Sequence, residues 1–211
     1  AKRMPCQGKE KKMAFDLGKF IQDIFKPQKD EIVTVMIDLP HGDIEDTKNW
    51  EERRQMATDW RNGLEEMKDR WGLTVNPLVT FLATGGNNAD LPETCMMGEE
   101  EKNLEQVIKS STIILAMPQF SATAPLYGYA RQPGKLRIGS MPGVAKFMEE
   151  SGLSADYNKI GEKCRTLEPI FNKAIGAEVE FSTGHTCYFD LPLENEALLD
   201  DSKRMARKLE T

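Results

Sequence analysis

Four loops in this sequence combine glycine or proline with short polar side chains, and each follows an apolar run. In the richest of them, residues 84–90, Gly85 and Gly86 permit backbone angles that other residues avoid. The polar side chains that follow, with donors and acceptors close together, are those of Asn87, Asn88 and Asp90. Such a loop can hold a small polar ligand, although the same residue types also satisfy the backbone of an ordinary tight turn. It has neither the Gly-x-Gly-x-x-Gly pattern nor a P-loop, so a nucleotide phosphate is not predicted.

Hydroxyl side chains mark two more of these loops. Ser121 and Thr123 stand where a helix is expected to begin, with Pro125 in its first turn, and Ser140 precedes Met-Pro-Gly. Helix capping explains these hydroxyls as well as ligand binding does. No Gly-x-Ser-x-Gly elbow with a histidine partner accompanies either serine, so serine hydrolase chemistry is not predicted.

The fourth loop, residues 39–43, begins an acidic stretch in which His41 and Asp43 are weak candidates for binding a divalent metal. The alternative is a solvated acidic turn, since carboxylates favour the positive end of a following helix. The other histidine, His185, lies at a predicted hairpin turn. Two histidines are few for a catalytic metal centre, so we expect no metal or other cofactor to be bound by this chain.

Composition limits the possible partners. The 211 residues include 28 basic and 34 acidic side chains, and the net charge of −6 opposes binding to nucleic acid or to anionic lipid. The first residues lack the apolar segment of a signal peptide, and no run approaches the roughly 18 apolar residues of a membrane span. The four cysteines lie far apart without a Cys-x-x-Cys pair, which favours reduced thiols. We therefore predict a cytoplasmic protein without nucleic-acid or membrane partners.

The elements that must position these loops alternate along the chain. Apolar, β-rich runs predict strands at residues 32–38, 75–83, 112–117 and 136–139. Helical spacing predicts a helix before Pro27 and helices near 50–71, 100–109, 121–131, 144–151 and 155–174. Asn49 or Thr47 is expected to cap the helix that begins near Trp50.

This alternation predicts an α/β fold, an open and mainly parallel Rossmann-like sheet flanked by helices. A late β-hairpin is expected at residues 177–183 and 186–191, and a helical tail at 194–211. The predicted domains are residues 1–176 and residues 177–211, the latter interpreted as the start of a second domain. The four loops follow the carboxyl ends of parallel strands, so we expect them to lie at one edge of the sheet and form one rim. Ligands of open parallel sheets bind at that edge.

Three phrases of the sequence resemble a known family. They are Ala-Thr-Gly-Gly-Asn-Asn-Ala-Asp-Leu-Pro at 83–92, Phe-Ser-Ala-Thr-Ala-Pro-Leu at 120–126 and Arg-Ile-Gly-Ser-Met-Pro-Gly at 137–143. In order and spacing they resemble the N-terminal domain of leucyl aminopeptidases of the aminopeptidase T type. The likeness extends through residues 153–157 and the hairpin at 177–191, and so covers about residues 30–191.

The resemblance implies a cytoplasmic, metal-dependent aminopeptidase that acts on peptides or related small molecules, and a homodimer is one arrangement consistent with it. In that family a C-terminal domain holds two divalent metals, such as Zn or Co, on Glu, His and Asp side chains. Nothing in this sequence matches that domain, so no catalytic residue is assigned to this chain. Its α/β domain would shape the substrate cleft or a dimer surface. The alternatives are a free-standing module that binds a small polar metabolite without catalysis, and a scaffold whose helices assemble with a partner.

Overall fold

The computed structural model describes residues 15–191, and the chain divides into two compact units between Ala155 and Asp156. The first unit holds the main sheet and its helices, and the second holds one helix and a hairpin. This division lies earlier in the chain than the predicted boundary at residue 176. The difference arises because the helix that precedes the hairpin belongs to the same unit as the hairpin.

The sheet of the first unit is mostly parallel, as the sequence predicts. Its strands are β1 Ile32–Leu39, β2 Thr74–Val75, β3 Val79–Leu82, β4 Thr94–Met97, β5 Glu100–Asn103, β6 Ile113–Ala116 and β7 Arg137–Ser140. They lie in the spatial order β5-β4-β3-β1-β6-β7, and the short strand β2 also pairs with β1. The parallel part of the sheet consists of β1, β2, β3, β6 and β7. Strand β4 runs antiparallel to β3, and β5 runs antiparallel to β4.

In the described part of the chain, four α-helices and two short 3₁₀ helices accompany this sheet, and a fifth α-helix lies in the second unit. The α-helices are α1 Leu17–Phe25, α2 Lys48–Trp71, α3 Leu104–Ser110, α4 Thr123–Ala130 and α5 Tyr157–Phe171. The 3₁₀ helices are Lys146–Glu150 and Gly152–Ser154. Among residues 15–191, none of the helices combines the length and apolar composition that crossing a membrane requires.

The long helix α2 forms as its sequence pattern predicts. The Oγ1 of Thr47 accepts a hydrogen bond from the backbone N–H of Trp50 at 3.3 Å, which confirms Thr47 as the N-cap. The helix ends at Gly72, whose φ of 65° is the left-handed conformation that glycine adopts at helix ends. Its apolar stripe is buried at Trp50, Trp60 and Leu64.

Helix α1 packs against α2 and β7 through aromatic side chains. The ring of Phe20 lies 5.3 Å from that of Trp60 of α2, measured between centroids. The ring of Phe25, at the end of the helix, approaches the backbone of β7 at Gly139. A Cβ added at Gly139 would lie 2.9 Å from Cζ of Phe25, so this close approach requires glycine.

Two predictions about secondary structure are wrong in part. The predicted strand over 75–83 is interrupted around Pro77, which lacks the N–H that a continuous ladder needs, and gives β2 and β3 instead. The predicted helix over 100–109 begins only at Leu104, because residues 100–103 form β5 and pair with β4. Gly98, with φ of 65°, makes the turn between β4 and β5. This hairpin extends the parallel sheet with two antiparallel strands.

Near the end of the first unit, the predicted helix over 144–151 is the 3₁₀ helix at Lys146–Glu150. The predicted helix over 155–174 corresponds to α5. The late hairpin is confirmed as β8 (Gly176–Glu180) and β9 (Thr186–Asp190). The predicted helical tail at 194–211 lies outside the described residues.

The contact between α1 and β7 predicts unequal effects of adding one methyl group. We expect Gly139→Ala to lower the free energy of unfolding by about 1–3 kcal/mol, because the buried ring of Phe25 must move. Gly128→Ala is the control, since it lies in α4 with open space around its Cβ position. It should raise the free energy of unfolding by about 0.5–1 kcal/mol through helix propensity. Urea denaturation measures the change in the free energy of unfolding for each variant. Equal changes in the two variants would contradict the close packing of Phe25 on Gly139.

Candidate functional site

The candidate site is the rim formed by loops at the carboxyl ends of the parallel strands. Because β1, β3, β6 and β7 are parallel, their carboxyl ends lie along the same edge of the sheet. The loops that follow them are those singled out in the sequence, and five of the eight candidate ligand-binding residues form one hydrogen-bonded network there through their side chains. These five are Asn87, Asn88, Ser121, Thr123 and Ser140.

Two asparagines tie the loop after β3 to the loop after β6. The Oδ1 of Asn87 accepts a hydrogen bond from the backbone N–H of Ser121 at 2.8 Å. The Oδ1 of Asn88 accepts from the Ser121 hydroxyl at 3.1 Å and from the backbone N–H of Ala124 at 3.0 Å. The N–H of Asn88 donates to the carbonyl oxygen of Ser121 at 2.6 Å. Four hydrogen bonds therefore fix the position of the glycine-rich loop relative to the start of α4.

A row of hydroxyl groups continues this network to the end of β7. Oγ of Ser121 lies 3.1 Å from Oγ1 of Thr123, which in turn lies 2.8 Å from Oγ of Ser140. Thr123 is exposed, and the two serines are half-buried. Since each hydroxyl carries one proton and two lone pairs, this row keeps unused acceptor capacity toward solvent. The rim can therefore receive donor groups such as amides, amines or hydroxyls.

The two glycines of the 84–90 loop shape its turn. Gly85 has φ of 71° and Asn88 has φ of 60°, both in the left-handed region that favours glycine and asparagine. The hydroxyl of Thr84 donates to the carbonyl oxygen of Gly86 at 2.8 Å, and the space around Gly86 is open. Turn formation thus explains Gly85, whereas the side-chain contacts of Asn87 and Asn88 reach beyond the turn to another loop.

Asp90 lies apart from this network, at a surface cavity of about 520 Å³. The cavity is lined by the segment at 90–93 and by residues of α3 and α4, including Leu104 and Tyr129. The side chains of the 84–90 loop therefore lie in two places. Asn87 and Asn88 contact the rim, whereas Asp90 lines this cavity.

Beneath the rim lies a buried carboxylate that the sequence analysis did not single out. Asp38, near the end of β1, is 1% exposed. Its carboxylate accepts hydrogen bonds from the indole N–H of Trp50 at 3.0 Å and from the backbone N–H groups of Gln119 at 2.7 Å and Phe120 at 3.2 Å. Burial raises the pKa of Asp38 above its ordinary value of 3.8, and the three donors act in the opposite direction.

Arg53 of α2 extends this buried network to the loop after β7. Its Nε donates to the carbonyl oxygen of Val144 at 2.6 Å, and its Nη1 donates to Oε1 of Gln119 at 2.7 Å. Burial lowers the pKa of Arg53, while the charge of Asp38 raises it. Asp38 and Arg53 together hold the loops after β6 and β7 in place from below.

The sequence itself indicates that Asp38 and Arg53 are unusual for their positions. Arg53 occupies a position on the apolar stripe of α2, between Trp50 and Trp60, and Asp38 follows a run of apolar residues in β1. A charged residue at an otherwise apolar position is costly to bury unless it is paired. Such positions therefore indicate a buried polar network, although not which partners complete it.

The weak metal candidates do not form a ligand cluster in the described chain. Nε2 of His41 lies 2.8 Å from the carbonyl oxygen of Ala83, so the ring joins the loops after β1 and β3. Near Asp43, the carboxylate of Asp46 pairs with both terminal nitrogens of Arg54, and this pairing lowers the pKa of Asp46. Among residues 15–191, no group of three or more His, Cys, Asp or Glu side chains is placed to hold a metal ion.

Comparisons of this chain with protein-family models, with curated proteins and with solved structures found no match. A proposal about function therefore rests on the rim geometry together with the three sequence phrases that meet there.

The buried network predicts a large effect of removing one carboxylate. We expect Asp38→Ala to lower the free energy of unfolding by about 3 kcal/mol, because three donors lose their buried acceptor. Amide hydrogen exchange in the 118–121 loop should also become faster. Asp43→Ala, an exposed aspartate after the same strand, is the control and should change stability by less than about 0.5 kcal/mol. Equal losses in the two variants would show that Asp38 does not anchor the rim.

Proposed function

We propose that the first unit is the α/β domain of a metal-dependent aminopeptidase-like protein, and that its rim forms one wall of the substrate cleft. The observation that carries this proposal is the convergence of three segments. The phrases at 83–92, 120–126 and 137–143, which resemble aminopeptidase T-type proteins, are joined by direct side-chain hydrogen bonds at the rim. Segments far apart in the sequence thus supply a single polar surface.

The chemistry of the rim suits part of a peptide. Its exposed groups are hydroxyls and side-chain amides without a net charge, and the row of Ser121, Thr123 and Ser140 has acceptor capacity for an amide or amino N–H. Because the loops are held from below by Asp38 and Arg53, these groups are ordered before a substrate binds. Such preorganisation reduces the entropy cost of binding.

The hydrolytic step is not assigned to this unit. The described residues do not fit a pair of divalent ions, since no cluster of metal-ligating side chains is present among them. In the family that the sequence resembles, Zn or Co ions are held by a separate domain, and there they would supply an activated water. Within this proposal the rim positions the substrate and takes no part in breaking the bond.

A cytoplasmic location belongs to the same proposal. The described cysteines, Cys95, Cys164 and Cys187, are all free thiols. Free thiols are typical of reducing compartments, where disulfides are rare.

The proposal predicts an effect of one rim hydroxyl on substrate binding. In the natural gene product supplied with Zn or Co, Thr123→Val should raise the KM for aminoacyl anilides about tenfold, as expected for a lost hydrogen bond of roughly 1.4 kcal/mol. Thr123→Ser should restore the KM, and kcat should change little in both variants. The control is Thr94→Val, which makes the same change at an exposed site on β4. Absence of metal-dependent aminopeptidase activity in the unsubstituted protein would overturn the proposal.

A second candidate function is a binding module that captures a small polar metabolite without catalysis. The observation that favours it is that the rim is fully organised within the first unit, by hydrogen bonds between its own loops and the buried network beneath them. A binding rim of this kind needs no residue from another domain.

This second candidate predicts stabilisation of the 211-residue chain by a ligand. A polar metabolite at one hundred times its Kd should raise the free energy of unfolding by about 2.7 kcal/mol, seen as a higher Tm in a thermal-shift screen. The shift should disappear in Thr123→Val and persist in Thr94→Val. A screen of polar metabolites that produces no rim-dependent shift in Tm would contradict the binding module. It would not bear on the peptidase proposal, which the aminopeptidase assay tests.

A further inference from the structure

The surface cavity at Asp90 lies within the first unit and is separate from the rim. Its volume of about 520 Å³ falls in the range of roughly 300–1,000 Å³ that is usual for small-molecule sites. The segment at 90–93 forms one wall, and residues within 103–108 and 125–132 form the others. The cavity therefore has the size of a ligand site and lies between the loop after β3 and the helices α3 and α4.

Hydrogen bonds hold the walls of this cavity in place. The backbone N–H of Leu104 donates to the carbonyl oxygen of Glu93 at 2.9 Å, which joins the segment at 90–93 to the start of α3. The Oδ1 of Asn88 accepts from the backbone N–H of Ala124 at 3.0 Å, which joins the same loop to α4. Tyr129 of α4 packs against the buried core. The cavity is thus formed before a ligand binds, which reduces the entropy cost of binding.

Much of the wall is apolar. The residues that contribute apolar surface are Leu91, Pro92, Leu104, Ile108, Pro125 and Tyr129. Leu104 and Ile108 are buried, so they form the floor, while the other four are half-buried and present surface to a ligand. Contact with these side chains favours a ligand with an apolar body.

The charge of the cavity is negative. Asp90, Glu93 and Glu105 line it, and no lysine, arginine or histidine does. Glu105 is paired with Lys109 on α3 at 2.7 Å, so its charge is compensated. Within residues 15–191, the carboxylates of Asp90 and Glu93 have no ion-pair partner. Two uncompensated carboxylates beside an apolar wall attract a cation.

One glycine of α4 leaves the cavity open. Gly128 lies inside the helix and lines the cavity, and no neighbouring element comes within 4 Å of the position that its Cβ would occupy. Glycine is a poor helix former, and packing does not require it here. A larger side chain at this position would take up part of the space that a ligand needs.

We propose that this cavity binds an organic ammonium ion with an apolar body, such as an arylalkylamine or an alkylamine. Asp90 and Glu93 receive the ammonium group, and the apolar body packs against Leu91, Pro125 and Tyr129. The side chain of Asp90 takes no part in the hydrogen bonds of the rim. The proposal is therefore independent of the function proposed for the rim.

Isothermal titration calorimetry of the 211-residue chain tests this proposal with two probes of equal shape. 2-Phenylethylamine carries the ammonium group, and 2-phenylethanol replaces that group with a neutral hydroxyl. We expect saturable binding of the amine with a Kd of about 1 mM or lower, as is usual for a ligand of this size. The alcohol should bind at least about tenfold more weakly, because it lacks the charge that Asp90 and Glu93 attract.

Two sets of variants locate the bound amine. Gly128→Leu should abolish binding by filling the cavity, and Gly128→Ala should weaken it less. The double variant Asp90→Asn, Glu93→Gln should raise the Kd of the amine about tenfold. Its matched control is Glu99→Gln with Glu101→Gln, which removes two exposed carboxylates outside the cavity and leaves the same net charge.

The control pair should leave the Kd of the amine unchanged, as should Thr123→Val at the rim. Far-ultraviolet circular dichroism checks that each variant is folded. Failure of 2-phenylethylamine to bind at about 10 mM would overturn the proposal, as would equal affinity for the alcohol. Binding that survives Gly128→Leu, or that responds equally to the two pairs of carboxylate substitutions, would also overturn it. Loss of binding in Thr123→Val would assign the amine to the rim instead.

Discussion

The carboxylate of Asp38 lies near the end of the central strand, shielded from solvent, and two other elements of the first unit are organised around it. Its oxygens receive N–H groups from α2, through Trp50, and from the loop after β6, through Gln119 and Phe120. A buried carboxylate without such donors would be strongly destabilising, so these elements can adopt only positions that satisfy it. The rim geometry follows from this requirement.

Arg53 adds a second constraint of the opposite charge. It is held on the buried face of α2, and its guanidinium satisfies two oxygen atoms that the loops after β6 and β7 present, those of Gln119 and Val144. A buried charge of this kind is weak evidence for stability as such, because the cost of desolvating it offsets much of what its hydrogen bonds contribute. Its contribution here is to fix the loops relative to one another, and therefore to fix the spacing of Ser121, Thr123 and Ser140 above it.

Much of the fold could be predicted from local patterns, whereas the partners within the buried polar network could not. The apolar run of β1 and the stripe of α2 are strong signals, because burial on a sheet or a helix has a fixed period. The sequence predicts a helix at residues 100–103 because a charged segment leading into Leu104 fits a first helical turn as well as it fits an edge strand. The partners of Asp38 lie about 80 positions away at Gln119 and Phe120, and residue spacing carries no signal for such a pairing. The rim loops are predictable because Gly85 and Asn88 adopt the left-handed backbone conformation that their residue types favour. The row of hydroxyls is not, because the contact between Thr123 and Ser140 depends on the order of the strands in the sheet.

The antiparallel pair β4–β5 has a consequence for how the main sheet ends. Its outermost strand carries Glu100, Glu101 and Lys102 in succession, so the free backbone groups at this edge are flanked by charged side chains on both faces. Another strand that approached this edge would have to desolvate those charges or place its own side chains against them. The pair therefore closes one side of the sheet to further strands, and a chain of this kind resists assembly into fibres through its largest sheet.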